Sequence, residues 1–229
     1  MLLAIDTATR TASIALYNAD GVLAETTWRS RENHTVELMP QIARLLELMR
    51  AQKSDLTAIG IALGPGSFTG LRVGMSVAKG LAYGCNIPLV GVPTLDAVAL
   101  PHAHQPLPIW AILLAGRGRF TVARYAARQG SIKRVSDYAL VNAVGLIDLV
   151  TQGGEKFSRA IFCGDVDAAL AKQLTATFDQ AIVASPAQNA RRAGFVAELA
   201  WARFQRGEAD DVASLAPMYM PHESVEGKL

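Results

Sequence analysis

Asp6 is the carboxylate best placed to do chemistry, because it ends the apolar run Leu2 to Ile5 and is followed by Thr7, Ala8 and Thr9. An acid with hydroxyls at the tip of a buried strand can handle a divalent cation and phosphate groups. The same acid can instead be structural, satisfied by nearby backbone and hydroxyl donors. Phosphoryl transfer needs oriented charge on both sides of the phosphates. The strand tip that opens the second half of the chain reads Ala115-Gly116-Arg117-Gly118-Arg119, with no acid. Gly153-Gly154 lies among polar residues and reads as a turn rather than an adenosine-binding segment. A metal-dependent nuclease would use Asp6 and Glu37, yet the fourth strand ends Ala62-Leu63-Gly64 without the further carboxylate that two-metal hydrolysis requires. His34 stands at the start of a helix with no paired cysteine or serine. His102 and His104 are two apart in a proline-rich segment, unlike two ligands on one helix face, and His222 gives no signal. Arg117, Arg119, Arg124, Arg128, Lys133 and Arg134 make one sheet region basic, either as a solvated strand face or as a contact with RNA phosphates.

The turn Gly64-Pro65-Gly66-Ser67-Phe68-Thr69-Gly70 joins the apolar run Ala58 to Leu63 to a helix ending near Gly84. It lacks a Gly-Lys-Ser/Thr sequence, so it is a weak phosphate loop. Beyond the turn, Gly66, Gly70, Gly74, Ala78 and Ala82 recur every four residues and put small side chains on one stripe. Each helical glycine costs about 1 kcal/mol relative to alanine, so a close contact must compensate. That contact is either the chain's own sheet or a partner helix.

The other elements follow from periodicity. Leu2 to Asp6, Thr11 to Tyr17 and Val22 to Trp28 read as strands, the last two joined by a hairpin at Asn18-Ala19-Asp20-Gly21. Val36, Met39, Ile42, Leu45, Leu46 and Met49 recur at helical spacing, with Leu38 and Leu48 adding apolar surface and Pro40 within the run. Strand Pro88 to Val92 and a short helix from Thr94 follow. After the linker-like segment Pro101 to Pro108 the order starts again: strands Ile109 to Ala115, Phe120 to Ala127 and Ile132 to Leu140, a helix near Val144 to Val150, strand Ala160 to Cys163, helix Asp165 to Leu174 and strand Ala181 to Val183. A long helix over 188–206 ends at Gly207 and docks back on the body. A repeated β-β-β-α-β-α order predicts an α/β protein with the actin-like (ASKHA) architecture, two ribonuclease-H-like halves with mixed sheets flanked by helices. The expected lobes are 1–104 and 105–229.

Composition narrows the classes. Of 229 residues, 51% are hydrophobic and 18% charged, which excludes disorder and hints at more apolar surface than a monomer needs. The net charge of +2 does not by itself announce a nucleic-acid binder. Cys85 and Cys163 have no metal spacing and read as reduced packing residues. No leader or membrane span is expected, so the protein is expected in the cytoplasm.

Leu3-Ala4-Ile5-Asp6-Thr7-Ala8-Thr9, Ser13-Ile14-Ala15, Asn33-His34-Thr35 with Leu38 and Pro40, and above all Gly64-Pro65-Gly66-Ser67-Phe68-Thr69-Gly70-Leu71-Arg72 with Gly74 resemble the bacterial TsaB family. These are accessory subunits of tRNA threonylcarbamoyladenosine synthesis. The resemblance is strong over 1–100; farther on it is one of length and order, with Pro217-Met218-Tyr219-Met220 similar to the family's tail. It implies a subunit that has lost catalysis and acts as scaffold for a TsaD-type transferase subunit, with a TsaE-type ATPase in the complex and tRNA met through it. The lone chain is implied to be a homodimer. No cofactor, metal or membrane contact is implied. The segment Pro93-Thr94-Leu95-Asp96-Ala97-Val98-Ala99 has no histidine where the catalytic paralogue carries two metal ligands. The resemblance places docking on the first two helices, as does their excess apolar surface. The interface residues expected are His34, Leu38, Ile42, Leu45, Gly70, Leu71, Gly74 and Ala78, with a vestigial nucleotide contact at Asp6 and Thr7. The rivals are a small-molecule kinase of the same superfold and a metal-dependent nuclease.

Overall fold

Leu2–Asp6 (β1) is apolar up to its last residue, as suits a strand covered on both faces, and all of it is buried. The computed structural model describes residues 1–30, 34–152 and 159–220. β1 pairs antiparallel with Thr11–Asn18 (β2) and parallel with Ala58–Gly64 (β4). Gly21–Arg29 (β3) and Leu89–Pro93 (β5) complete a five-stranded sheet in the order β3-β2-β1-β4-β5. The period of two along β1 divides its side chains. Leu3 and Ile5 face His34–Leu48 (α1) and Phe68–Cys85 (α2), while Leu2 and Ala4 face Ala193–Gln205 (α6).

The second sheet is built alike from Ile109–Gly116 (β6), Arg119–Arg128 (β7), Ser131–Arg134 (β8), Ala139–Asn142 (β9), Ala160–Gly164 (β10) and Ala181–Val183 (β11). Its order is β11-β10-β6-β7-β8, with β9 also on β7. Ala143–Gln152 (α4) and Ala168–Thr177 (α5) cover one face through Leu146, Val150, Leu170 and Leu174. Thr94–Ala99 (α3) covers the other through Leu95 and Ala99. α3 also contacts β4, β5 and α6, and so lies between the two sheets. The repeated order of elements is that of the actin-like fold.

Three expected elements differ, the helix from Asp165 beginning instead at Ala168, behind the Asp167 cap that accepts from the Leu170 N–H at 2.8 Å. The strand over 132–140 is two short strands, β8 beside Tyr125–Arg128 and β9 beside 119–122 of β7. Between them Ser136 Oγ accepts from Arg124 N–H at 2.9 Å, so a side chain replaces one rung of the ladder. The long helix starts at Ala193 rather than 188. The Arg191 carbonyl is taken by Thr27 Oγ1 at 2.9 Å, and the Ala193 N–H by Ser13 Oγ at 2.9 Å. Residues 185–190 instead close turns of their own, Asn189 N–H donating to the Ser185 carbonyl at 2.9 Å, and 191–193 bond to β2 and β3. Asn33, Gly153, Gly154 and His222 lie outside the described residues.

Candidate functional site

Asp6 is 1% exposed. Its Oδ1 accepts from the Ala8 N–H at 3.0 Å, and its Oδ2 is paired with Arg191 Nη2, brought from 185 residues away. Arg191 is 6% exposed, and its Nε and Nη1 have no hydrogen-bond partner among the described residues. The segment carrying it is pinned to both halves. Asn189 Oδ1 accepts from Gly164 N–H at the end of β10, and Asn189 Nδ2 donates to the Ala184 carbonyl, each at 2.8 Å. On the other side Arg192 Nε donates to Glu25 Oε2 at 2.8 Å and Gly194 N–H to Glu25 Oε1 at 2.7 Å, both on β3. What remains beside Asp6 is a cavity of about 20 Å³, lined by Asp6, Gly164, Gln188, Asn189 and Arg191 among others. An opposite charge already neutralises the carboxylate that a metal would need, and the space suits water rather than a nucleotide.

Sequence reasoning missed Arg191 and Asn189, because a lone arginine ahead of a helix carries no motif. It also passed over Asp165, which follows β10 and accepts from the Leu114 N–H at 2.9 Å. That acid belongs to the second sheet, at the end of a strand other than the one searched. The roomier groove, about 330 Å³, lies elsewhere, against Pro106, Pro108, Arg124 and Val135.

The glycine stripe packs on its own chain. A Cβ on Gly66 would overlap the Ala8 carbonyl, one on Gly70 the Thr7 carbonyl, and one on Gly74 the Thr7 hydroxyl. Thr7, expected as a vestigial nucleotide contact, donates from Oγ1 to the Gly70 carbonyl at 2.8 Å and so bolts the end of β1 to α2. Ser67 caps α2, its Oγ accepting from the Gly70 N–H at 3.3 Å. The residues expected to meet a partner lie on the inward side of both helices. His34, Leu38, Ile42, Leu45, Gly70, Leu71, Gly74 and Ala78 are all buried within the chain. Apolar side chains at helical spacing find the chain's own sheet first.

The outward face of the same helices carries other residues. On α1, Val36 is 66% exposed, Met39 44% and Leu48 72%. On α2, Val73, Val77 and Leu81 are half-buried, while Gly80 and Gly84 have nothing within 4 Å of where a Cβ would stand. Among the described residues no contact offsets the helical cost of those two glycines.

His102 is buried, which lowers its pKa, and His104 packs against Gly130. Burial pushes the Cys163 thiol up. Arg134 stacks on Tyr138 at 4.1 Å, and Arg117 sits at φ +53° in the β6–β7 turn. Tyr125 Oη donates to Asp96 Oδ1 at 2.7 Å and ties β7 to α3; burial still raises the Asp96 pKa, against that bond and the Arg134 charge. Among the described residues no three His, Cys, Asp or Glu side chains converge as a metal site, and no helix is long and apolar enough to cross a membrane.

The family model described as TsaD, tRNA N6-adenosine threonylcarbamoyltransferase, matches residues 9–225. The tRNA threonylcarbamoyladenosine biosynthesis protein TsaB of Escherichia coli is 42% identical over 98 residues, covering 43% of this chain and 42% of that one. The structure of YeaZ from Pseudomonas aeruginosa superposes with a TM-score of 0.76 at 24% identity, over 96% of this chain and 99% of that one. TsaB of Bacillus subtilis is 32% identical over 229 residues, 99% of this chain and 96% of the relative, and the chain belongs to the TsaB family.

Proposed function

We propose that the chain is a non-catalytic subunit of tRNA threonylcarbamoyladenosine synthesis that holds and activates a TsaD-type transferase subunit. A TsaE-type ATPase joins the same assembly, tRNA is met within it, and the lone chain pairs with itself. The observation that carries the non-catalytic part is the Asp6–Arg191 pair. It fills with the chain's own charge the place where this superfold's first-strand acid would handle a metal. For docking, the proposal takes the outward face of α1 and α2, around Val36, Met39, Gly80 and Gly84. Exposed apolar side chains next to open glycines let another helix approach closely.

Sedimentation of the chain alone and mixed with the transferase subunit from the same source tests this reading. A dimer replaced by a mixed complex is expected, with Met39→Glu and Gly80→Leu each abolishing both species while the chain stays folded. A monomer indifferent to the transferase, or Mg-ATP hydrolysis by the lone chain that Asp6→Ala removes, would overturn it.

A further inference from the structure

We propose that Phe68, Arg72 and Tyr219 form a recognition site for one nucleotide of RNA, with a phosphate on the Arg72 guanidinium and a base stacked on the exposed rings. Phe68 opens α2 and Arg72 follows one turn later, so the two share a face. Tyr219 is delivered by the C-terminal segment, which runs along the first half. Asp210 bridges to Leu89, Lys79 Nζ donates to the Ala213 carbonyl at 2.9 Å, and Met218 N–H donates to the Leu63 carbonyl at 2.7 Å. Arg72 Nε then donates to Tyr219 Oη at 3.1 Å. The Arg72 guanidinium carbon lies 3.7 Å from the Phe68 ring centre, and the Phe68 and Tyr219 rings are 5.1 Å apart.

Core packing does not account for the cluster, since Phe68 is 54% and Tyr219 41% exposed. Arg72 is exposed too, and among the described residues no carboxylate pairs with it. Its Nε bond and its stacking hold the guanidinium in place, which lowers the ordering cost of binding and leaves the terminal amino groups for a partner. A planar fork matches two phosphate oxygens. The exposed parts of the two rings beside it suit unstacked bases, the combination that single-stranded and looped RNA presents. An acidic protein segment would use the charge but not the two rings. The cluster faces the C-terminal segment, around α2 from the open glycines, so the two surfaces can be occupied together.

This site rests on the function proposed above, and the test keeps the two apart. The chain in its assembly with the transferase subunit is titrated with a fluorescent, unmodified tRNA transcript at several salt concentrations, with the assembly's mass measured in parallel. Arg72→Gln and Tyr219→Ala are expected to weaken RNA binding about 5- to 20-fold. Arg72→Gln also lowers the slope of log affinity on log salt by about 0.7–0.9. Tyr219→Phe, which keeps the ring, stays within about twofold of wild type. Unchanged RNA affinity in Arg72→Gln and Tyr219→Ala would overturn the site. So would variants that break up the assembly while the chain alone binds RNA as before, because the cluster would then be a protein contact. If the wild-type chain does not assemble, the function proposed above fails, and the same titration on the chain alone still decides the site.

Discussion

At the scale of single residues, the Asp6–Arg191 pair is the feature with the largest consequences. Both groups are almost fully buried, and removing one partner of such a pair strands the other charge in a low dielectric. Arg191→Ala should therefore cost about 3–5 kcal/mol, measured by urea unfolding. Asp6→Asn combined with Arg191→Met should recover much of that loss, because Asn keeps an acceptor for the Ala8 N–H and no charge is left unpaired. A double variant as unstable as Arg191→Ala would show that a stranded charge is not what that substitution costs. The two thiols give a simpler contrast. Cys163 is buried with its thiol pushed up by burial, while Cys85 is half-buried at the end of α2. A thiol reagent at pH 8 should thus titrate one sulfur in the native protein and two in urea. Two fast sulfurs in the native state would mean that α3 and β10 separate easily. The sequence exposed Asp6 at once, because a lone acid ending an apolar run stands out. It did not expose Arg191, since nothing local marks an arginine whose partner lies 185 residues away.

At the scale of elements, α2 uses its small residues in two ways. Gly70 and Gly74 exist because Thr7 occupies the space a Cβ would take, whereas Gly80 and Gly84 meet nothing. The same substitution should accordingly have opposite signs. Gly74→Ala gains about 1 kcal/mol of helix propensity but meets the Thr7 hydroxyl, and overpacking of this kind costs about 1–3 kcal/mol. Gly84→Ala gains the propensity with no clash and should stabilise the chain by about 0.5–1 kcal/mol. Urea midpoints at protein concentrations low enough to keep the chain monomeric check both. A destabilised Gly84→Ala would mean that the outer face of α2 is packed in the free chain, contrary to the docking surface proposed for it. The spacing of the stripe was legible from sequence, and so was its need for a close neighbour. The identity of that neighbour was not, because a four-residue period says which positions share a face and nothing about what stands opposite. The same holds for α1, where the apolar spacing set Val36 and Met39 on one stripe with Ile42 and Leu45 and left the fully buried Leu38 off it, and so could not separate core-facing from outward residues. Only burial does that, leaving Val36, Met39 and Leu48 outside.

At the scale of the whole molecule, the two halves repeat one order of elements but are not two self-sufficient units. The first sheet is covered on one face by α1 and α2, which lie next to it in sequence, and on the other by α6, which comes after every strand of the second sheet. Ala193, Val196, Ala197 and Ala200 of α6 are fully buried against Leu2, Ala4, Ala58 and Val90. The C-terminal segment adds Val212 and Leu215 to the core under α2. A fragment of residues 1–104 would therefore expose one whole face of its sheet, and a sheet with an uncovered apolar face is not independently stable. That fragment should lack a cooperative urea transition and should associate through the bare face. Joining 185–220 to it by a flexible linker should restore a single transition, followed by tryptophan fluorescence from Trp28 on β3 and Trp201 on α6. If 1–104 unfolds cooperatively on its own, α6 is an accessory rather than half of the first core. The coupling bears on the docking surface, since α1 and α2 rest on a sheet whose other side the C-terminal helix completes. Truncation after residue 184 should on that account abolish partner binding without touching a single residue of the proposed face.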